Sequence, residues 1–204
     1  MKIAIIGAGN MGGSIARGLA KGSLIADSDI IVSNPSAGKL EKLKEEFPGI
    51  STTLSNTEAA TGADIVILAV KPWFVESVMR ELKLKSKQTL VSVAAGISFE
   101  ELAHFVIAPE MPMFRLIPNT AISELESMTL IAARNTNDEP YVRLSRIRLF
   151  IIIFTVSKQA DINLWHCQWI IFQHFNESFS CITLSVTSSI QHLKQKFSHL
   201  LFVV

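Results

Sequence analysis

The sequence predicts an α/β fold over residues 1–139, a doubly wound parallel sheet, with residues 140–204 as an unassigned tail. Three observations carry this. Short apolar runs alternate with stretches of helical period, the rhythm of strand–helix–strand units joined by right-handed crossovers. The runs around Ile3–Ile6 and Ile65–Val70 are apolar at every position, as strands covered on both faces must be. All 10 glycines precede position 97, several of them where elements change.

The elements follow in order. Lys2 to Ile6 is a short apolar run ending at a glycine, hence a buried strand. Met11 to Lys21 has helical spacing, with Ile15 and Leu19 on one face and Gly22 as its stop. Ile30 to Asn34 is the next strand. Ala37 to Phe47 is an amphipathic helix that turns Leu40, Leu43 and Phe47 inward and ends at Pro48-Gly49. Ser51 to Leu54 and Asp64 to Val70 are strands, Trp73 to Leu84 a helix, and Thr89 to Val93 a strand. Ser98, with Glu101 three residues on, forms a capping box for a helix through Phe105. Met113 to Ile117 and Met128 to Ala133 complete the sheet.

Composition narrows the function. Hydrophobic residues make up 49% of the 204, enough for a sizeable core. The net charge of +1 argues against a nucleic-acid binder driven by bulk charge. Two cysteines cannot build a disulfide framework. No apolar run approaches the roughly 20 residues of a membrane helix, and the first apolar run is too short for a signal peptide. The expectation is a soluble cytoplasmic protein with no nucleic-acid or membrane partner.

The two segments differ in kind. Up to Glu139 there are 13 Lys and Arg against 16 Asp and Glu; afterwards there are 6 against 2. The tail holds no glycine, 10 of the 16 aromatic residues, four of the five histidines and both cysteines. Within it, Leu149 to Val156 reads as a strand or an aggregation-prone run, guarded by Arg143, Arg146 and Arg148. His166, Cys167, His174 and Cys181 lack the paired spacing of a zinc site, so no metal is expected. Asn176-Glu177-Ser178 reads as a chance glycosylation pattern, and Leu184 to Val204 as an amphipathic helix.

The chemistry lies at the first turn. Gly7-Ala8-Gly9-Asn10-Met11-Gly12 follows the first strand and opens the first helix, the context of a Rossmann-type dinucleotide fingerprint. Gly7 permits the sharp turn, Gly9 lets a diphosphate reach the backbone, and Gly12 lets helix and strand pack closely. Free amides at the helix start bind the anion. NAD-selective sites place an acid about 20 residues on. Here that stretch reads Val32-Ser33-Asn34-Pro35-Ser36, while Asp27 and Asp29 come earlier. An uncharged loop spares a 2′-phosphate from repulsion; Ser33, Asn34 and Ser36 offer it hydrogen bonds, and Lys39 adds charge. NADPH is therefore expected, with NADH as the alternative of a plain polar turn.

Ligands of such sheets bind beyond the carboxyl ends of the strands. Those ends read Ala69-Val70-Lys71-Pro72, Ala94-Ala95-Gly96-Ile97-Ser98 and Arg115-Leu116-Ile117-Pro118-Asn119-Thr120. With the glycine loop, these motifs resemble pyrroline-5-carboxylate reductases in order and spacing through about Arg134. The resemblance implies coenzyme contacts at Gly7, Ala8, Gly9, Asn10, Met11, Gly12, Ser33, Asn34, Pro35, Ser36, Asn56, Ala69, Val70, Lys71 and Pro72. It further implies that Ala94, Ala95 and Gly96, with the substrate residues Pro118, Asn119 and Thr120, border the nicotinamide. The implied reaction is NADPH-dependent hydride transfer to the cyclic iminium of 1-pyrroline-5-carboxylate, giving L-proline. The alternatives are a catalytically silent NADP-binding module and a related reductase such as a β-hydroxyacid dehydrogenase. No Ser–His–Asp or metal-ligand cluster is visible in residues 1–139, hydride transfer needs neither, and no catalytic residue is assigned.

Plainer roles stand beside these. Lys71 acts through its backbone or is solvated; Pro72 stops a strand; Asn56 touches coenzyme or caps the short helix after it. Arg115 meets a ligand carboxylate or sits in a structural salt bridge, His104 lies at the surface or half-buried, and Trp73 and Phe74 pack on the sheet. The family resembled continues into an all-helical dimerisation domain opened by a Ser-Gly-Ser-Gly-Pro-Ala motif, which makes it a homo-oligomer. A glycine-free tail cannot contain that motif. A frame change or misjoined segment near Asp138-Glu139-Pro140 is expected to account for the tail, leaving this chain without the dimer domain; the rival is a divergent tail with its own fold.

Overall fold

A computed structural model describes residues 1–106, 108–136, 152–156 and 167–171. The strands are β1 (Ile3–Ile6), β2 (Ile30–Ser33), β3 (Ser51–Thr53), β4 (Ile65–Leu68), β5 (Thr89–Ser92), β6 (Met113–Ile117), β7 (Met128–Arg134), β8 (Ile152–Val156) and β9 (Cys167–Ile171). The helices between them are α1 (Asn10–Lys21), α2 (Ala37–Glu46), α3 (Asn56–Ala60), α4 (Val75–Glu81) and α5 (Phe99–His104). The sheet order is β3-β2-β1-β4-β5-β6-β7-β8-β9, and the first six strands are parallel. Sequence order reverses around β1, the switch point at which doubly wound sheets bind ligands.

Alternation along each strand builds two cores. Ile3, Ile5, Val32, Ile65, Ile67, Val91 and Phe114 face α1 and α2, where Ile15, Leu19, Leu40 and Leu43 cover them. Ala4, Ile6, Val66, Leu68, Leu90 and Met113 face the opposite way, under Ala59, Val75, Met79 and Leu102 of α3, α4 and α5. Burial on both faces explains why these strands read as unbroken apolar runs.

Three expectations are corrected. β7 runs antiparallel to β6, pairing Ile117 with Leu130 and Met113 with Arg134. The connection between them holds only a short 3₁₀ turn, Thr120–Glu124, and a parallel return needs a crossover of a dozen or more residues. The helix expected from Trp73 begins instead at Val75, after a 3₁₀ turn over Pro72–Phe74. That turn leaves Trp73 69% and Phe74 52% exposed, so they do not pack on the sheet; Val75 and Met79 are the buried residues of α4.

Residues 152–156 form a strand, parallel to β7 and antiparallel to β9. Leu149–Ile151, the three arginines before them, His166, His174, Cys181, the Asn176 motif and the 184–204 helix lie outside the described residues. Among the described residues no helix is long and apolar enough to cross a membrane.

Candidate functional site

The register aligns the strand ends. Ile6 is level with Ser33 and with Leu68, Leu68 with Ser92, and Ser92 with Arg115. The next residue of each strand forms one row: Asn34, Gly7, Ala69, Val93 and Leu116. With neighbouring strands about 4.8 Å apart, the row spans about 19 Å. Backbone bonds extend the ladder into it, from the Gly7 amide to the Ser33 carbonyl (2.8 Å) and from the Ala69 amide to the Ile6 carbonyl (2.9 Å). Every segment expected from the sequence therefore emerges along one edge: the glycine loop, Ser33–Ser36, Ala69–Pro72, Ala94–Gly96 and Pro118–Thr120.

The three loop glycines serve three physical ends. Gly7 has φ +104°, and a Cβ there would lie 2.7 Å from the Ala69 carbonyl oxygen. Such a dihedral strongly favours glycine. A Cβ on Gly12 would stand 1.9 Å from the Gly7 carbonyl oxygen and 3.0 Å from Ala69 Cβ, so this glycine permits the close contact of α1 with the strand ends. A Cβ on Gly9 would meet nothing within 4 Å. Its backbone needs no glycine (φ −69°), so the open space is what its missing side chain provides. Gly9 is also the N-cap of α1, with no side-chain cap and no acid in the first turn. The helix thus presents uncapped amides and the positive end of its dipole to that space, a combination that suits a diphosphate.

The second expected subsite is arranged differently from its sequence reading. Ser33 is fully buried, and its hydroxyl donates to Asn56 Oδ1 at 2.8 Å. Asn56 Nδ2 donates in turn to Glu81 Oε2 at 3.1 Å. Asn34, 7% exposed, accepts the Ala8 amide at Oδ1 and donates through Nδ2 to Ser36. The surface of this loop is left to Pro35, Ser36 and Lys39. Asn56 does not cap α3; Ser55 does, accepting the Glu58 amide at 3.2 Å.

On the other side of β1, Ala69 and Val70 are half-buried and Lys71 is exposed, its ammonium 5.1 Å from the centre of the Trp73 ring. Ala94 is buried, and Ala95 and Gly96 are exposed, Gly96 at φ +73°. These small residues leave a low wall between the ends of β4 and β5. Asn119 uses Oδ1 to accept the Ala121 amide (3.0 Å), and its own amide donates to Ser127 Oγ (3.2 Å). Beside it Thr120 is exposed. Among the described residues Arg115 forms no salt bridge, and its guanidinium lies over the Phe99 ring at 5.9 Å. His104 is exposed. The capping box forms as read, with Ser98 Oγ accepting the Glu101 amide (3.1 Å) and Glu101 Oε2 accepting the Ser98 amide (2.7 Å). That backbone hydrogen bond is the main reason the Glu101 carboxyl sits below the ordinary glutamate range. Glu81 and the bracing of Ala8 by Asn34 were not legible in the sequence, because Glu81 lies 25 residues from Asn56 and Asn34 lies 26 from Ala8.

Comparison with known proteins gives relatives for the chain. Residues 2–96 match a family described as NADP oxidoreductase, coenzyme F420-dependent. Pyrroline-5-carboxylate reductase 3 of Danio rerio is 35% identical over 134 residues, covering 65% of this chain and 46% of that protein. The pyrroline-5-carboxylate reductase of Pseudomonas aeruginosa is 40% identical over 121 residues, covering 58% and 43%. The chain therefore spans less than half the length of these relatives. Among solved structures, a pyrroline-5-carboxylate reductase from Coxiella burnetii superposes with a TM-score of 0.68 at 31% identity, over 78% of this chain and 59% of that one. A Plasmodium falciparum pyrroline carboxylate reductase with NADP bound gives 0.65 at 26%, over 77% and 58%.

Proposed function

We propose that this chain, related over its N-terminal 65% to the pyrroline-5-carboxylate reductases, binds NADPH along the carboxyl edge of its sheet and reduces 1-pyrroline-5-carboxylate to L-proline. The observation that carries the reading is the row Asn34–Gly7–Ala69–Val93–Leu116, which brings every expected segment to one edge. The open space at Gly9 and the uncapped start of α1 fit a diphosphate. Ser36 and Lys39 suit a 2′-phosphate; Ala69, Ala94, Ala95 and Gly96 leave room for a flat ring, and Pro118–Thr120 flank it. The bound coenzyme supplies hydride to the carbon of the protonated C=N bond. The chain's own part is to orient coenzyme and substrate, which can remove much of an entropic barrier. The protein is proposed to work in the cytoplasm.

A second reading, an NADP-binding module without turnover, is favoured by one fact: residues 140–204 hold no glycine and so do not carry the Ser-Gly-Ser-Gly-Pro-Ala motif. A fluorescence titration with NADPH, paired with an assay for proline formation, separates them. Binding with turnover supports the reductase, binding without turnover supports the module, and absence of binding overturns both. We further propose that residues 140–204 come from a changed reading frame. Translating the coding DNA beyond codon 139 in the other frames then yields the Ser-Gly-Ser-Gly-Pro-Ala pattern; its absence from both frames refutes this.

A further inference from the structure

We infer that Asn34 sets the preference for NADPH over NADH without touching the coenzyme, by joining the diphosphate loop to Ser36 and fixing the direction of the Ser36 hydroxyl. The inference rests on the NADPH reading above.

Asn34 is the first residue beyond β2 and is 7% exposed. Its Oδ1 accepts the Ala8 amide at 3.1 Å, which also fixes the amide's orientation, since an NH₂ group there would oppose an N–H. Its Nδ2 then donates both protons to one residue, to the Ser36 carbonyl at 3.0 Å and to Ser36 Oγ at 2.9 Å. The side chain thus has no proton left to donate to a ligand. Ser36 is exposed, and although it is the N-cap of α2 its hydroxyl is not used to cap the helix. A hydroxyl carries one proton. With Nδ2–H occupying an acceptor position of Oγ, that proton turns away from Asn34, toward solvent and toward any anion over this loop. The same amide anchors Ala8, beside the open space at Gly9, so one buried side chain fixes the spacing of the two phosphate-binding positions. Preference arises from a neutral buried amide acting through Ser36.

The test is a four-member cycle of wild type, Asn34→Leu, Ser36→Ala and the double variant, each titrated with NADPH and NADH by coenzyme fluorescence. Leucine matches the amide's shape and makes neither bond. Losing a hydrogen bond to a charged group weakens binding about tenfold or more. In wild type, therefore, Asn34→Leu lowers the NADPH:NADH preference about tenfold. In the Ser36→Ala background it moves the preference less than about twofold, because the group it acts through is gone. Asn34→Ala, which likewise makes neither bond and adds no charge to the loop, serves if the leucine variant does not fold, and its effect on preference is likewise smaller without Ser36. A merely structural Asn34 weakens both coenzymes equally and leaves the ratio fixed, which overturns the inference. So does an equal shift of the ratio in both backgrounds, which marks Asn34 as a direct ligand. A wild type that shows no preference for NADPH overturns both this inference and the coenzyme reading, whereas absence of proline formation touches only the proposed reaction.

Discussion

Alanine at Gly9 and alanine at Gly12 are expected to have opposite consequences, although the two glycines stand three residues apart in one motif. At Gly12 the new methyl carbon would lie 1.9 Å from the Gly7 carbonyl oxygen and 3.0 Å from Ala69 Cβ. The first obstacle is backbone, so α1 must lift from the strand ends. Overpacking costs about 1–3 kcal/mol and sometimes more, and a contact this short belongs at the upper end. At about 2–4 °C per kcal/mol for a protein of this size, Gly12→Ala lowers Tm by about 6–12 °C. At Gly9 the methyl meets no atom within 4 Å. Reduced unfolded-state entropy favours the alanine by about 0.4–1 kcal/mol, and its poorer performance as an N-cap offsets a similar amount. Stability should hold within about 1 kcal/mol. The methyl instead occupies the approach to the α1 amides. Each charge-assisted hydrogen bond lost there costs about 1.5–3 kcal/mol, so NADPH binds about 10- to 100-fold more weakly. Thermal melts and NADPH titrations of both variants decide the matter. Equal loss of Tm at the two sites, or unchanged NADPH affinity in a folded Gly9→Ala protein, refutes the reasoning.

Two further outcomes follow from the same geometry. Trp73 is 69% exposed and beside Lys71, at the edge proposed for the coenzyme, so NADPH bound there should quench its fluorescence. Trp73→Phe removes most of that quenching while shifting stability by less than about 0.5 kcal/mol, and undiminished quenching would place the coenzyme elsewhere. The Glu101 carboxyl is held below its ordinary range chiefly by the Ser98 amide. A carboxylate with a depressed folded pKa stabilises the protein above its unfolded value, and that contribution is lost as the pH falls through the folded one. Tm of the wild type should therefore drop more than that of Glu101→Gln as the pH is lowered from neutrality to below the ordinary glutamate value of about 4.3. Parallel acid profiles would show that the capping box does not report on stability.

What the sequence made legible, and what it did not, divides along physical lines. β1 and β4 announce themselves because a strand buried on both faces must be apolar throughout, and the glycine loop because a positive φ at Gly7, a close contact at Gly12 and an open approach at Gly9 all suit the residue without a side chain. The Ser98–Glu101 box was readable because both partners lie within one helical turn. The direction of β7 was not, because it depends on whether ten residues of connection can carry the chain back across the sheet. Trp73 and Phe74 looked like packing residues by type, yet Pro72 opens a 3₁₀ turn that points them outward. Among the expected 2′-phosphate residues, only the folded chain distinguishes Ser36, at the surface, from Ser33, whose hydroxyl is spent on Asn56. That pairing joins residues 23 apart in sequence and leaves no local pattern.

The most direct test of the coenzyme's place is amide chemical-shift mapping of the ¹⁵N-labelled protein during titration with NADP⁺. The account predicts large shifts for the amides of Gly9, Asn10, Met11, Gly12 and Ser36, with a smaller one for Ala8, whose proton Asn34 already holds. Shifts confined to the opposite edge of the sheet, around Lys2, Asp29 and Ala63, would contradict it.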